Sequence, residues 1–486
     1  MAYFHGIRST EKATDLIATM QTTAGLPVVV GRAPVHLTEN PTANVNKPVL
    51  CYSWDEAVAA LGYSVDWKNY ELCEVMFSEF LLYGVKPVVF INVLNPEVHK
   101  TAVTTKTYEV ENNEVIINDG VLVDSLVIKE NPLTSETAKK NVDYTAAYNE
   151  NDQLVISIIS GGSLDGKASI FIGYDKIDPS KVTYLDVIGG VNSSGGVKGL
   201  ELVNMVYTMY GMVPGLILAP NWSQNPIVAS VMKAKTSTMG GLFKCLALTD
   251  VDTTQARNYL EVNMWKNNNT YTGSNQVTCW PCVKNEGKIF HMSTQLAGVI
   301  GVMDAENEDI PYMSPSNRAM QATGLCLEDG TEIMLSLDQA NGLNHQGILT
   351  AINFSGGYKT WGDYTGAYPS TADPKEVFTC CRSMFNWLEN TFILNYWDQV
   401  DIPVKVRSIQ SIVDSESIRL NGLVSRGFLV SARIAFLEEE NPVTDLIAGK
   451  FRLHRWITAP VPAQEIEDTI EYDAASYATM FEEFAG

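Results

Sequence analysis

Three short stretches of this 486-residue chain have the residue types and spacing of a reactive site. Gly161 to Ala168, GGSLDGKA, falls one residue short of the loop in which a lysine reaches a nucleotide's phosphates and a hydroxyl holds Mg²⁺. Ala168 stands where that hydroxyl is needed, and Ser169 is out of register. Alternating apolar runs on both sides predict strands, whereas a phosphate cradle needs a helix N-terminus immediately behind it. The stretch reads better as a hairpin turn, with Lys167 the residue that a nucleotide reading would depend on. Cys279-Trp-Pro-Cys282 has the spacing of a redox pair. It lies inside a predicted strand, Gln276–Val283, rather than at a helix start, and zinc would need two further ligands, for which the sequence offers only the adjacent Cys380 and Cys381 and, as nearest histidine, His291. GGVNSSGGVKG at 189–199 precedes a helix but lacks GxGxxG spacing, and reads as a loop packed near other chains.

The remaining chemistry-bearing residues are scattered. The histidines at 5, 36, 99, 291, 345 and 454 form no HExxH, and there is no GxSxG. The acidic run Asp304–Asp309 has no EF-hand glycine and reads as a solvated loop. No catalytic constellation, metal site or cofactor site is expected. An α/β enzyme using Gly161–Ala168 or Cys279/Cys282 is the alternative reading.

Fifty-six acidic against 34 basic residues leave a net charge of −22, which argues against nucleic acid or an anionic membrane as a direct partner. The opening MAYFHGIRSTEKATD has no apolar core of a secretory signal. The uncharged run Leu202–Met232 is broken by glycine and proline into helix, turn and strand, so no membrane insertion is expected. Eight irregularly spaced cysteines suit reduced core positions.

The elements that would position any site suggest a mixed α/β and α+β chain with several parts. Residues 1–22 form an N-terminal arm and 23–100 the first part of an α/β core, with strands at Leu26–Val30 and Pro87–Val93 and helices at Ser53–Leu61 and Tyr70–Tyr83. Residues 101–185 are a β-rich outward insertion, with alternation in Tyr108–Ile117, Val121–Ile128, Gln153–Ile159 and Ala168–Tyr174. The core resumes over 186–336. A C-terminal domain over 337–459 has helices at Lys375–Trp397 and Ser408–Val424 and strands at Phe428–Phe436 and Phe451–Ile457. Residues 460–486 form a second arm.

That arm alternates. Ile466, Ile470 and Tyr472 share one face, completed by Gln464 and Asp468, and Glu465, Glu467, Thr469, Glu471 and Asp473 lie on the other, the pattern of a half-buried strand with an acidic outer side. It is either an edge strand paired within the chain or, at up to ~90 Å when extended, a strand for a neighbour's sheet. Helix 408–424 buries one apolar face and aligns Ser411, Ser415 and Arg419 on the other, with Arg426 just beyond its end.

Several longer stretches resemble contractile tail sheath proteins, the family that surrounds the inner tube of phage tails and phage-tail-like bacteriocins. They are SPSNR at 314–318, DQANGLN at 338–344, FSGGYKTWG at 354–362, RSMFNWLENTFILNYWD at 382–398, ENPVTDLIAGKF at 440–451 and TAPVPAQEI at 458–466. TTAGLPVVVGRAPV and KPVVFINVL fit the same family near the N-terminus. The resemblance implies a structural protomer, not an enzyme. It would polymerise as stacked rings around an inner tail tube protein, meet baseplate and tail-terminator or collar proteins, and drive the tube through a cell envelope on contraction. It would be made in a bacterial host's cytoplasm and end in a virion tail or tail-like particle. It also implies that Tyr3, Phe4 and Ile7, with the alternating C-terminal arm, link subunits; that Phe451, Leu453 and Trp456 lie in the receiving sheet; and that Ser411, Ser415, Arg419 and Arg426 face the tube.

Overall fold

The computed structural model describes residues 24–133 and 136–477. Its centre is an eight-stranded sheet. Pro27–Gly31, Val88–Asn92, Leu216–Leu218, Leu246–Asp250, Gln276–Cys279 and Ile348–Asn353 run parallel, and Pro48–Cys51 and Tyr358–Trp361 close the two edges antiparallel. The inner strands are runs of Val, Ile and Leu, fully buried because helices cover both faces. Ser53 starts the first helix, Trp54–Leu61, by accepting the Glu56 N–H at 3.2 Å.

The β-rich insertion is two three-stranded sheets with their own apolar core of Val115, Ile128, Leu154, Ile156, Ile170 and Ile172. Expected strands change here for local reasons. Tyr108–Ile117 is split by Asn112 and Asn113, both in the left-handed region, into Lys100–Glu109 and Glu114–Ile117. Val121–Ile128 is instead a 3₁₀ turn followed by the strand Val127–Lys129. Gly161–Ala168 joins Leu154–Ile158 to Ser169–Ile177, which lie in different sheets, so it is a crossing between sheets and not a hairpin turn.

Three other boundaries differ. Trp280-Pro281 is a cis peptide that ends one strand and turns the chain into Cys282–Asn285 of a separate four-stranded sheet. The long helix breaks at Phe378 into Pro374–Val377 and Thr379–Tyr396. The strands Ile348–Asn353 and Tyr358–Trp361 belong to the central sheet, so the core extends past residue 337, where the sequence suggested a new domain. Among the described residues, no helix is long and apolar enough to cross a membrane.

Asp304 ends a buried run of the helix Met292–Glu306, and neither carboxylate oxygen has a hydrogen-bond partner. Burial, with Asp309 nearby, raises this carboxyl from 3.8 to about 8. An acid whose pKa is raised by folding costs stability as pH climbs from its unfolded to its folded value. Asp304→Asn should therefore flatten the fall in melting temperature between pH 4 and pH 8. A difference from wild type that does not grow with pH would refute the neutral buried carboxyl.

Candidate functional site

An α/β enzyme would place its chemistry at the carboxyl ends of the parallel strands. Arg32, Glu71, Glu74, Asp250 and His291 do gather there, unforeseen from sequence, but each is engaged within the fold: Arg32 with Glu71, His291 with Glu74, and Asp250 with Ser223 and Ser293. The Glu71 carboxylate accepts the Arg32 backbone N–H at 3.0 Å, its Nε–H at 2.9 Å, and the Asn221 amide at 3.1 Å. Glu74 accepts the His291 backbone N–H at 2.7 Å and lies 2.8 Å from its Nδ1. All five are buried or nearly so, and the set ties helices to strand ends.

The two motifs with reactive spacing are equally committed to structure. The Asp165 carboxylate accepts the Gly161 N–H at 2.7 Å, and Lys167 is paired with Glu130. Cys279 lies in the central sheet and Cys282 opposite Cys326 in the smaller one. Burial holds both thiols well above their ordinary range, away from the nucleophilic thiolate. Among the described residues, no group of three His, Cys, Asp or Glu could hold a metal.

The family-like stretches instead converge in space. Trp361 donates its indole N–H to Asn341 at 2.8 Å, Gly362 donates its N–H to Ser316 Oγ at 2.9 Å, and the Arg318 N–H reaches Thr360 Oγ1 at 3.2 Å. SPSNR, DQANGLN and FSGGYKTWG thus form one knot. Gly362 is required there, since φ is +121° and a Cβ would lie 1.8 Å from Asn344 Oδ1. The helix Thr379–Tyr396 binds this core to the C-terminal body. Its Asn390 donates to Lys244 O at 2.7 Å and accepts the Lys244 N–H at 2.9 Å, and Asn386 donates to Cys245 O at 3.3 Å.

The C-terminal body is built on the helix Val406–Ser425. Ile412, Leu420 and Leu423 pack with Met384, Trp387 and Phe428. In the same stripe lies Glu416, with no exposed surface. Its carboxylate accepts Arg419 Nη2 at 2.7 Å and Nε at 2.9 Å, Arg455 Nη1 at 3.2 Å, and the Tyr396 hydroxyl at 3.2 Å. Arg455 also lies 4.5 Å over the Phe392 ring. The signal for this site is legible in hindsight: a glutamate at the i+4 step between Ile412 and Leu420 occupies an apolar position.

Arg455 belongs to the strand His454–Thr458, which pairs antiparallel with Ser431–Ala435 as a two-stranded ribbon. Ile434 and Ile457 face the core, while Arg433 stacks 3.7 Å over Trp456 on the other side. Asn441 holds the preceding loop, donating to Leu437 O at 2.7 Å and Arg452 O at 2.9 Å and accepting the Arg452 N–H at 2.6 Å. Trp456 is therefore in the ribbon; Leu453 packs on the core just before it, and Phe451 is half-buried upstream.

The arm that follows forms no strand among the described residues. Among the described residues, the backbone of 461–472 makes no hydrogen bond, and Ile466, Ile470 and Tyr472 are 89%, 88% and 75% exposed. Glu465, Glu467 and Glu471 are exposed beside them. Tyr3, Phe4 and Ile7 lie outside the described residues. On the helix, Ser411 is exposed and Ser415 half-buried, but Arg419 is turned inward against Glu416 and its guanidinium is not available to a partner. Arg426 is exposed, 2.5 Å from Glu308 and 4.9 Å over Phe428.

No protein-family model matches the chain. The tail sheath protein of Burkholderia phage BcepMu is 26% identical across 97% of this chain and 98% of its own length. The tail sheath protein of Escherichia phage P2 is 22% identical across 58% of this chain and 69% of its own. Among solved structures, the anti-feeding prophage helical sheath in its contracted state matches with a TM-score of 0.58 at 13% identity, covering 96% of this chain and 99% of that one. A PVC sheath complex in its contracted state matches with a TM-score of 0.57 at 13% identity, covering 98% and 99%. The fold is thus that of sheath subunits of contractile injection systems. Along nearly its whole length the chain is also similar in sequence to a phage tail sheath protein, so sequence and fold point to the same family of contractile tail sheath proteins.

The two arginines carried over to a tube-facing role should separate on substitution. Glu416→Ala strands two guanidiniums, and Arg419→Glu adds a second buried carboxylate; each should cost about 3–5 kcal/mol of unfolding free energy. Arg426→Glu should cost under about 1 kcal/mol. Urea titrations that gave all three the same small change would refute the internal role of Glu416.

Proposed function

We propose that this chain is the structural protomer of a contractile sheath. It polymerises helically around an inner tube, is held in a metastable extended state, and contracts to drive the tube through a target envelope. The observation that carries this reading is the pairing of an unsatisfied arm with an unsatisfied receptor. Residues 461–472 leave the body with bare backbone and four exposed apolar side chains, Val461, Ile466, Ile470 and Tyr472, and the ribbon 431–435/454–458 pairs with no third strand among the described residues. Strand addition between copies satisfies both at once. In this reading the partners are other copies of the chain, an inner tube protein contacted by the Ser411–Ser415 face and Arg426, and baseplate and terminator proteins at the ends. Catalysis has no part in it, because contraction runs down a gradient of interface area: each further ~400 Å² of apolar surface buried is worth on the order of 10 kcal/mol per subunit.

Deleting residues 460–486 should leave a folded subunit and abolish tubular polymers, read by circular dichroism and negative-stain microscopy. Ordered tubes from the truncated chain would overturn the linking role of this arm.

A further inference from the structure

Directly beyond the ribbon strand Ser431–Ala435, the side chain of Phe436 helps to wall an open groove of about 630 Å³. Val406, Ile409 and Val413 of the long helix form one side, and Leu446 and Ile447 of the short helix Val443–Ile447 form the other. Val406 and Ile447 are 82% and 83% exposed, so these aliphatic walls face solvent with nothing between them. Lys405 lines the groove and Arg407 follows in the same helical turn; neither makes an ion pair among the described residues, and Asp414 is the one acid in the lining.

The arm has the complementary chemistry. Ile466, Ile470 and Tyr472 expose apolar side chains on one side, with Asp468 between the two isoleucines, and residues 460–473 carry five acidic and no basic side chains. We propose that this groove seats the apolar side chains of the C-terminal arm of a second copy, with the arm's carboxylates against Lys405 and Arg407, and that it thereby fixes the register of the added strand. The inference rests on the sheath reading and goes further. Backbone pairing on the ribbon is indifferent to sequence, and a one-residue slip turns every side chain to the opposite face. A strand running along the free edge of 431–435 continues over Phe436, where the groove accepts Ile and Tyr and rejects Glu. The seat is therefore where the arm's alternation is read.

The test uses the full-length chain. Val406→Cys and Ile470→Cys are made separately, mixed, assembled and oxidised with diamide; the eight native cysteines are buried. A disulfide-linked dimer only in the mixture supports the seat. Absence of that dimer in preparations that form ordered tubes overturns it, as does a bond formed only within one chain carrying both substitutions. In a second arm of the test, Val406→Glu with Ile447→Glu should keep the wild-type melting temperature and lose tubes. Tubes of normal length from that variant would overturn the groove while leaving the sheath function intact. Absence of tubes from the unmodified protein would instead overturn the sheath reading and this inference with it.

Discussion

A lone two-stranded ribbon is marginal in water, and the C-terminal body of this molecule is built around keeping one. Glu416 is what holds it. A fully buried carboxylate with two guanidiniums and a phenol is costly to dehydrate, and replacing such a set with apolar groups often stabilises a protein. Its use here is positional: Arg455 comes from the ribbon, Arg419 and Glu416 from the long helix, and Tyr396 from the helix before it. Charge-assisted bonds to one carboxylate fix three elements at defined angles, which generic apolar packing would leave freer. The ribbon can then keep its edges unpaired among the described residues without collapsing onto the body.

The same logic runs inward. Asn386 and Asn390 tie the helix Thr379–Tyr396 to backbone at 244–245, at the start of a central strand. A pull on the ribbon is therefore carried through Arg455, Glu416 and the long helices into the eight-stranded sheet. That continuity suits a subunit that must move as a rigid body while only its contacts with neighbours change. The insertion stands apart from this path, with its own small core.

Much of this was legible in the residues, and what was not has physical causes. Buried parallel strands announce themselves as uninterrupted Val and Ile runs, and Ser53 marks its helix by capping. Cis Pro281 and the Asn112-Asn113 turn redirect strands without changing the apolar pattern that suggested them. The boundary at 337 fails because the strand Ile348–Asn353 pairs with Gln276–Cys279, a partner about 70 residues away that periodicity cannot reveal. Arg419 is the instructive case. Aligned with Ser411 and Ser415 it reads as a surface residue, yet Glu416, three positions earlier, draws it inside. Only the interruption of an apolar stripe by that glutamate hints at it.

The inward turn of those arginines also revises what the charge means. Residues 403–459 hold eight basic and six acidic side chains against −22 for the whole, which suggests a basic docking face. Arg419 and Arg455 are consumed by Glu416, Arg452 by Asp445, and Arg433 lies over Trp456. Among the described residues the cations of this segment without an ion pair are therefore Lys405 and Arg407 on the rim of the apolar groove, Arg433 over its ring, and the exposed Lys450. The acidic excess, by contrast, is concentrated in two segments, −7 on residues 460–486 and −6 on residues 101–185. Like charge on arms and insertion opposes random association of free subunits, while the small basic rim favours one particular contact. Net repulsion with few attractive addresses is what a polymer needs if it is to form in register and otherwise remain dispersed.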